Sequence, residues 1–187
     1  MPQQDPARRD GSVALPTEVR LRDGTPALVW PLLPEDREGL RVAYDALSPE
    51  SKHRRFLSDV QTLSDGLLRL LVDAVDGVDH IALVLVAFPP DGPEQLVGVG
   101  RLIRHREQPD SADVAVTVLD AWQGRGVASV LLSELVRRRG AGVGRLATQV
   151  ATGNPGSLAM LRRLGDFRVT GVDCGVYDVE VDLLRAG

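Results

Sequence analysis

The chain has a single cysteine, Cys174, in 187 residues. It cannot form an internal disulfide, and one lone thiol fits a reducing compartment. It also lacks an excess of positive charge: 22 Lys and Arg stand against 26 Asp and Glu, a net charge of −4. Nucleic-acid binders are usually basic, so no nucleic-acid partner is expected. No apolar run approaches the ~18 residues of a membrane-crossing helix, and the first residues lack the apolar centre of a signal peptide. A cytoplasmic protein without membrane contact is expected. The three histidines, His53, His80 and His105, are scattered, and no residues fall at metal-ligand spacing. No G-x-x-x-x-G-K-[ST] phosphate loop and no internal repeat occurs. What remains is ordinary for one globular domain: 43% hydrophobic and 26% charged residues, in a chain longer than the ~150 residues that suffice for a proper core.

Residues 114–140 organise the rest. Val114, Val116 and Val118 have high β propensity and predict a buried strand over 112–119. A short polar turn at 120–123 leads into Gly124-Arg125-Gly126. Val127, Ala128, Val130, Leu131, Leu132, Leu135 and Val136 then recur at helical spacing, with Ser129, Ser133, Glu134, Arg137 and Arg138 largely opposite. Arg137, Arg138 and Arg139 suit a helix C-terminus, and Gly140 stops it. A strand, a glycine turn and a helix N-terminus make an anion site. The first helical N–H groups have no internal acceptor, and glycine lets a phosphate approach them. The dinucleotide pattern G-x-G-x-x-G/A is met at Gly142, Gly144 and Ala147, but it follows a helix and leads into a strand, the reverse of its required context. Gly124-x-Gly126-x-x-Ser129 has the right context and the wrong last residue.

Gln123-Gly124-Arg125-Gly126-Val127-Ala128, with the strand before it and the helix after it, resembles the Q/R-x-x-G-x-G/A motif of the GNAT superfamily of acyl-CoA-dependent N-acetyltransferases. A second segment, with Asn154, Ser157, Leu164, Gly165 and Phe167, is similar to that family's later N-x-x-S/A…L-G-F element, Asp166 interrupting its last pair. The resemblance covers roughly residues 19–184. It implies an α/β (α+β) fold: a mixed, mostly antiparallel sheet of about six to seven strands with helices on both faces. It implies acetyl-CoA as acyl donor, its pyrophosphate on backbone N–H groups of the turn. Gln123, Gly124, Arg125, Gly126, Val127 and Ala128 are then cofactor-binding, with Asn154 and Ser157. The backbone of Val116, Thr117 and Val118 is implied in polarising the thioester carbonyl.

Along the chain, residues 1–18 are expected to be a loose polar tail and 19–187 the domain. Two short β runs, 19–21 and 27–30, flank a turn at Asp23-Gly24. Pro34, Glu35 and Asp36 open a helix whose buried stripe is Leu40, Ala43, Tyr44 and Leu47. Ser48 caps a second helix carrying Lys52, His53, Arg54 and Arg55. Segment 47–56 is similar to one in bacterial GNAT proteins related to protein lysine acetyltransferases, where these helices flank the acceptor site. By itself the basic cluster reads as a solvated face. A third helix spans 64–75, with Asp73, Asp76 and Asp79 gathered at its end. Residues 80–88 are the apolar run of a central strand, 89–93 a turn, and 95–104 the returning strand. In that strand Gly98 and Gly100 mark a bulge or a close approach. A strand over 145–150 precedes a helix opened by Asn154 and Pro155, and strands over 167–172 and 176–184 close the chain. In the last, Tyr177, Val179, Val181 and Leu183 face one side, and Asp178, Glu180 and Asp182 are expected in solvent.

Acetyl transfer to an amine requires that the amine be neutral. At pH 7 an amine of pKa ~10.4 is neutral in about one molecule in 2,500, a cost of roughly 4.6 kcal/mol. A base removes that proton. Thiolate leaves readily, since a thiol has pKa ~8.5, so an acid is dispensable. Many GNAT proteins carry a glutamate near the start of the strand before the turn; the matching residue here is Asp113, shorter by a methylene and expected to act through a water. A solvated acid opening a strand is its plainer role. The tyrosine acid of some members is matched by Leu161, and Tyr177 is the candidate substitute. Cys174 has no identifiable base. The acceptor expected first is a protein lysine, and second a small-molecule amine such as an antibiotic or polyamine. A non-catalytic acyl-CoA-binding regulatory domain, monomer or homodimer like the enzyme, is the rival from another class. Asp110 and Asp113, with Asp73, Asp76 and Asp79, are expected to gather at the acceptor end and attract a cationic amine.

Overall fold

The strand β3 (His80–Ala87) is buried at every residue from Ile81 to Ala87, and the sheet is laid out from it. In the computed structural model, which describes residues 16–58 and 60–183, β3 is flanked by β2 (Pro26–Pro31) and β4 (Gln95–Arg104). Beyond β2 lies β1 (Thr17–Arg20), and beyond β4 lies β5 (Ser111–Val118). The sheet continues through β6 (Arg145–Ala151) and ends with β8 (Val176–Leu183) inserted between β6 and the edge strand β7 (Gly165–Asp173). Every pairing is antiparallel except β5 with β6.

Eight strands exceed the six to seven expected. The Asp23-Gly24 turn, with Gly24 at φ +85°, folds the four residues of β1 back onto β2 in register, Thr17 opposite Val29. Of the expected 1–18 tail, residues 1–15 lie outside the described residues, and Thr17 and Glu18 belong to β1.

The helices are α1 (Arg37–Asp45), α2 (Pro49–Phe56), α3 (Asp65–Asp73), α4 (Val127–Arg138) and α5 (Pro155–Leu161). Polar caps start three of them. Ser48 accepts from the Ser51 N–H at 3.2 Å, Ser64 from Leu67 at 3.2 Å, and Asn154 from Ser157 at 3.1 Å. On α1, Leu40 and Tyr44 are buried, with Leu47 just beyond it.

The two glycines of β4 set the depth at which α4 packs. A Cβ on Gly98 would lie 2.7 Å from Val127 Cγ1, and one on Gly100 would lie 2.9 Å from Leu135 Cδ1. The bulge is also present: Leu85 pairs with Gly98 and Val86 with Leu96, leaving Val97 extra. Alternation then puts Val97, Val99 and Arg101 on the other face of the sheet, where α1 packs with Leu40 and Tyr44. Helices therefore cover both faces.

The acidic face of β8 is paired rather than simply solvated. Asp182 meets Arg145 at 3.0 Å and Arg168 at 2.6 Å, Glu180 meets Arg168 at 3.2 Å, and Asp178 accepts from Gln149 at 2.9 Å. Strand order brings β6 and β7 arginines to either side of β8, giving cross-strand opposite-charge pairs.

Candidate active site

β5 and β6 pair only at Ser111 with Arg145 and Ala112 with Leu146. From there they diverge, and a side chain bridges the opening: Thr148 Oγ1 donates to the Val114 carbonyl at 3.0 Å. Beyond lies a cleft of about 1220 Å³. Its backbone polarity follows from the ladder. Leu119 N–H donates to the Val97 carbonyl on β4, so alternate residues Thr117, Ala115 and Asp113 also face β4. Val116 and Val118 therefore turn their N–H and C=O groups toward the opening, while the Thr117 backbone is engaged by β4. Side chains alternate likewise. Asp113, Ala115 and Thr117 share the face that carries α1, and Val114, Val116 and Val118 share that of α4.

The opening leads to the N-terminus of α4. Gly124 and Gly126 have φ of +75° and +94°, and Gly126 occupies the cap position with no side-chain cap. The first hydrogen bond of the helix runs from Val130 N–H to the Gly126 carbonyl at 3.0 Å. The N–H groups of Val127, Ala128 and Ser129 thus have no acceptor within the helix. Helices α1, α2 and α3 each carry an acid in the first turn, whereas α4 carries none. An anionic ligand fits that bare N-terminus. Gln123, Gly124, Gly126, Val127, Ala128, Asn154 and Ser157 all line the cleft, as do Val116, Thr117 and Val118.

Arg125 does not line it. Its guanidinium lies 4.6 Å from the Trp122 ring centroid and 3.2 Å from Asp23, holding the turn from outside. The cation brought to the turn is Arg22 instead. The Arg22 N–H donates to the Arg125 carbonyl at 2.9 Å, and its Cγ lies 3.1 Å from where a Gly126 Cβ would stand. No motif marks Arg22; only the pairing of β1 with β2 carries it there.

On the acceptor side, α2 packs on β5 and contributes Ser51, Arg54, Arg55 and Phe56 to the cleft wall. Arg55 lies over the Phe56 ring at 4.7 Å. Burial pushes the Arg55 guanidinium down from the usual arginine range, and the Asp113 charge nearby offsets part of that shift. Asp113 lines the cleft as expected, but the other acids do not gather around it. Asp73 pairs with Arg37 at 2.6 Å and Asp79 with Arg104 at 3.4 Å, while Asp76 accepts the N–H groups of Val78, Asp79 and His80. Asp110 is likewise absent from the lining. Asp73 and Asp79 are held by arginines of α1 and β4, and Asp76 by N–H groups of its own loop.

Tyr177 sits on β8 opposite Val150 and Val172 and does not line the cleft, whereas its neighbours Asp178, Val179 and Glu180 do. Leu161, at the position that the resemblance matched to a tyrosine acid, lines it with an apolar side chain. Cys174 is exposed in the β7–β8 turn, away from the cleft. Among the described residues no group of three or more His, Cys, Asp or Glu could hold a metal ion, and no helix is long and apolar enough to cross a membrane.

The model of the acetyltransferase (GNAT) family matches residues 53–166, from α2 to the start of β7. The chain belongs to the GNAT family of acetyltransferases. Its GNAT sequence is 37% identical over 123 residues to an acetyltransferase of Pseudomonas aeruginosa, covering 64% of each chain. It is 34% identical over 169 residues to Acetyltransferase Pat of Mycolicibacterium smegmatis, covering 90% of this chain and 49% of that one. The chain thus spans half to two thirds of the length of these curated relatives. The GNAT domain of S. lividans PAT matches with a TM-score of 0.75 at 30% identity, covering 90% of this chain and 97% of that one. The mostly antiparallel sheet with helices on both faces is the GNAT fold, as the turn motif implied.

Proposed function

We propose that the protein transfers an acetyl group from acetyl-CoA to a primary amine, the side chain of a protein lysine. The observation that carries this reading is the opening between β5 and β6, which runs from the bare N-terminus of α4 to Asp113. The residues present suit a pyrophosphate: free N–H groups, two glycines with positive φ, no local acid, and Arg22 alongside. Acetyl-CoA would supply there an acyl group activated as a thioester.

The Val116 and Val118 N–H groups face the opening, where they can donate to a carbonyl oxygen as negative charge grows on it. Asp113 is the base, acting directly or through one water, and takes the ammonium proton before the amine nitrogen attacks the thioester carbon. The C–N bond forms and the nitrogen sheds its second proton to solvent; the C–S bond breaks, and the thiolate takes up a proton from solvent. No side-chain nucleophile is required, in keeping with the position of Cys174. The lysine acceptor is supported by the likeness of segment 47–56 to lysine acetyltransferase-like members and by the α2 residues in the cleft wall.

Thiol release from acetyl-CoA tests the reading, with lysine-containing proteins, polyamines and aminoglycosides as acceptors. Turnover is expected with a protein lysine. Faster turnover of a polyamine or aminoglycoside would replace the protein acceptor, and no release with any amine would leave an acyl-CoA-binding regulatory domain.

A further inference from the structure

A second, smaller cavity of about 40 Å³ lies on the acceptor side, between α1 and the β4–β5 face. Leucine, valine and aromatic side chains make most of its wall, and two arginines, Arg55 and Arg101, complete it. Arg101 is 3% exposed. One of its terminal nitrogens, Nη1, donates to the Leu71 carbonyl and faces His80 Nε2 at 3.2 Å. A guanidinium only donates, so His80 must accept there as a neutral ring. That state agrees with burial and the Arg101 charge, which both hold the imidazole below its usual pKa. The other terminal nitrogen, Nη2, is buried and has no partner among the described residues.

Three other arginines also keep one unpartnered nitrogen, but each is paired with a carboxylate: Arg37 with Asp73, Arg104 with Asp79 and Arg138 with Glu134. Arg101 has no such pair among the described residues. Burial and the neighbouring Arg55 charge push its guanidinium down to about 10. Arg55 adds a second positive charge, with no hydrogen bond or ion pair of its own among the described residues and Asp113 as its nearby acid. An unpaired buried charge such as that of Arg101 is costly, and a half-buried guanidinium beside it makes the place more receptive to a counter-ion from outside. Arg55, Phe56 and Thr117 line both this cavity and the main cleft, so the two spaces adjoin and share these side chains as a wall.

We propose that the acceptor brings a carboxylate together with its amine, and that Arg101 and Arg55 bind the carboxylate while the amine meets Asp113. This rests on the amine-acetylation reading and narrows its substrate class. The cavity's volume exceeds the ~10–15 Å³ that one water needs and suits a carboxylate head. A carboxylate answers the planar fork of Arg101 better than a water does, because it neutralises charge as well as accepting the free N–H groups. It could come from an acidic side chain next to the acceptor lysine, or from a free amino acid.

Two matched acceptor pairs separate these sources: a lysine peptide with glutamate beside the lysine against the same peptide with glutamine, and free lysine against lysinamide. With wild-type protein, loss of the carboxylate is expected to raise KM about tenfold or more in the pair that carries the natural chemistry, the usual scale of a charged hydrogen bond left unmade. Arg101→Met should erase the difference and Arg101→Lys should restore part of it; Arg55→Met serves if Arg101→Met does not fold. Calorimetric binding of the same four probes to the coenzyme A-loaded protein reads the proposal without turnover. If none is acetylated but the carboxylate partner binds more tightly, the transfer reading fails and the anion site stands. Equal binding and equal KM within both pairs overturn the anion site.

Discussion

Ser51 donates its hydroxyl to the Asp120 carboxylate at 2.5 Å, joining residues 69 positions apart. Ser48 adds its N–H at 2.8 Å and its hydroxyl at 3.2 Å, and Gln123 its amide at 3.1 Å. One carboxylate therefore ties the start of α2, the acceptor-side helix, to the turn that precedes α4.

Asp120→Ala should loosen that tie. We expect acceptor KM to rise severalfold and stability to fall by about 1–2 kcal/mol, measured by steady-state kinetics and denaturant unfolding. Burial pushes the Asp120 carboxyl up, but the hydrogen bonds from Ser51 and Ser48 outweigh it and hold the group below the usual 3.8. Its contribution is thus fully present above that pH and is lost as pH falls through the lower folded value. The unfolding free energy of Asp120→Ala, measured with denaturant, should differ least from wild type at the lowest pH. A constant difference at all pH values would remove Asp120 from the account.

Gly126→Val should abolish coenzyme A binding measured by calorimetry. Its φ of +94° strains any side chain, and the Cβ would crowd Arg22 at 3.1 Å. Gly142→Ala is the control: its φ is +91° with nothing within 4 Å of the added carbon. Both should lose about 1–2 kcal/mol of stability, but Gly142→Ala should keep its affinity. Equal affinity in the two folded variants would refute the phosphate cradle.

Arg22→Gln should weaken coenzyme A binding about fivefold, the scale of one charge-assisted contact at an exposed site. The salt dependence of affinity should become shallower, because a screened attraction has been removed. An unchanged salt slope would mean that Arg22 only supports the turn.

Asp113→Asn should lower kcat by ~10²-fold or more, the usual scale of a lost general base, and leave coenzyme A affinity within twofold. The deficit should narrow as pH rises and more of the amine arrives neutral. Activity close to wild type between pH 6 and 9 would return Asp113 to the role of a polar residue at the start of a strand.

The glycine turn before α4 was legible because its signals are local. Gln123 to Ala128 lie in one run, their glycines carry the positive φ that the turn requires, and the caps Ser48, Ser64 and Asn154 each bond a residue three positions on. Helix and strand periods follow from the same short-range geometry, so each element could be named from a dozen residues or fewer. The surroundings of Asp113 were not legible. The spacing of Asp73, Asp76, Asp79 and Asp110 says nothing of the arginines and N–H groups that hold the first three away from Asp113. Arg22, Arg55 and Arg101 come from a hairpin, a helix and a central strand, and only packing makes them neighbours of a site.

From sequence alone came the family, the glycine turn before α4, the central strand β3 and the place of Asp113 on β5, each written in consecutive residues or a fixed period. Tertiary structure decided the insertion of β8 between β7 and β6, the opening of β5 from β6 after Ala112, and the arrival of Arg22 beside Gly126. It also left Arg101 buried without a carboxylate among the described residues. The physical reason is the range of the interactions: caps, turns and periodicity act within a few residues, whereas strand order and charge pairing are settled by which surfaces close over the core.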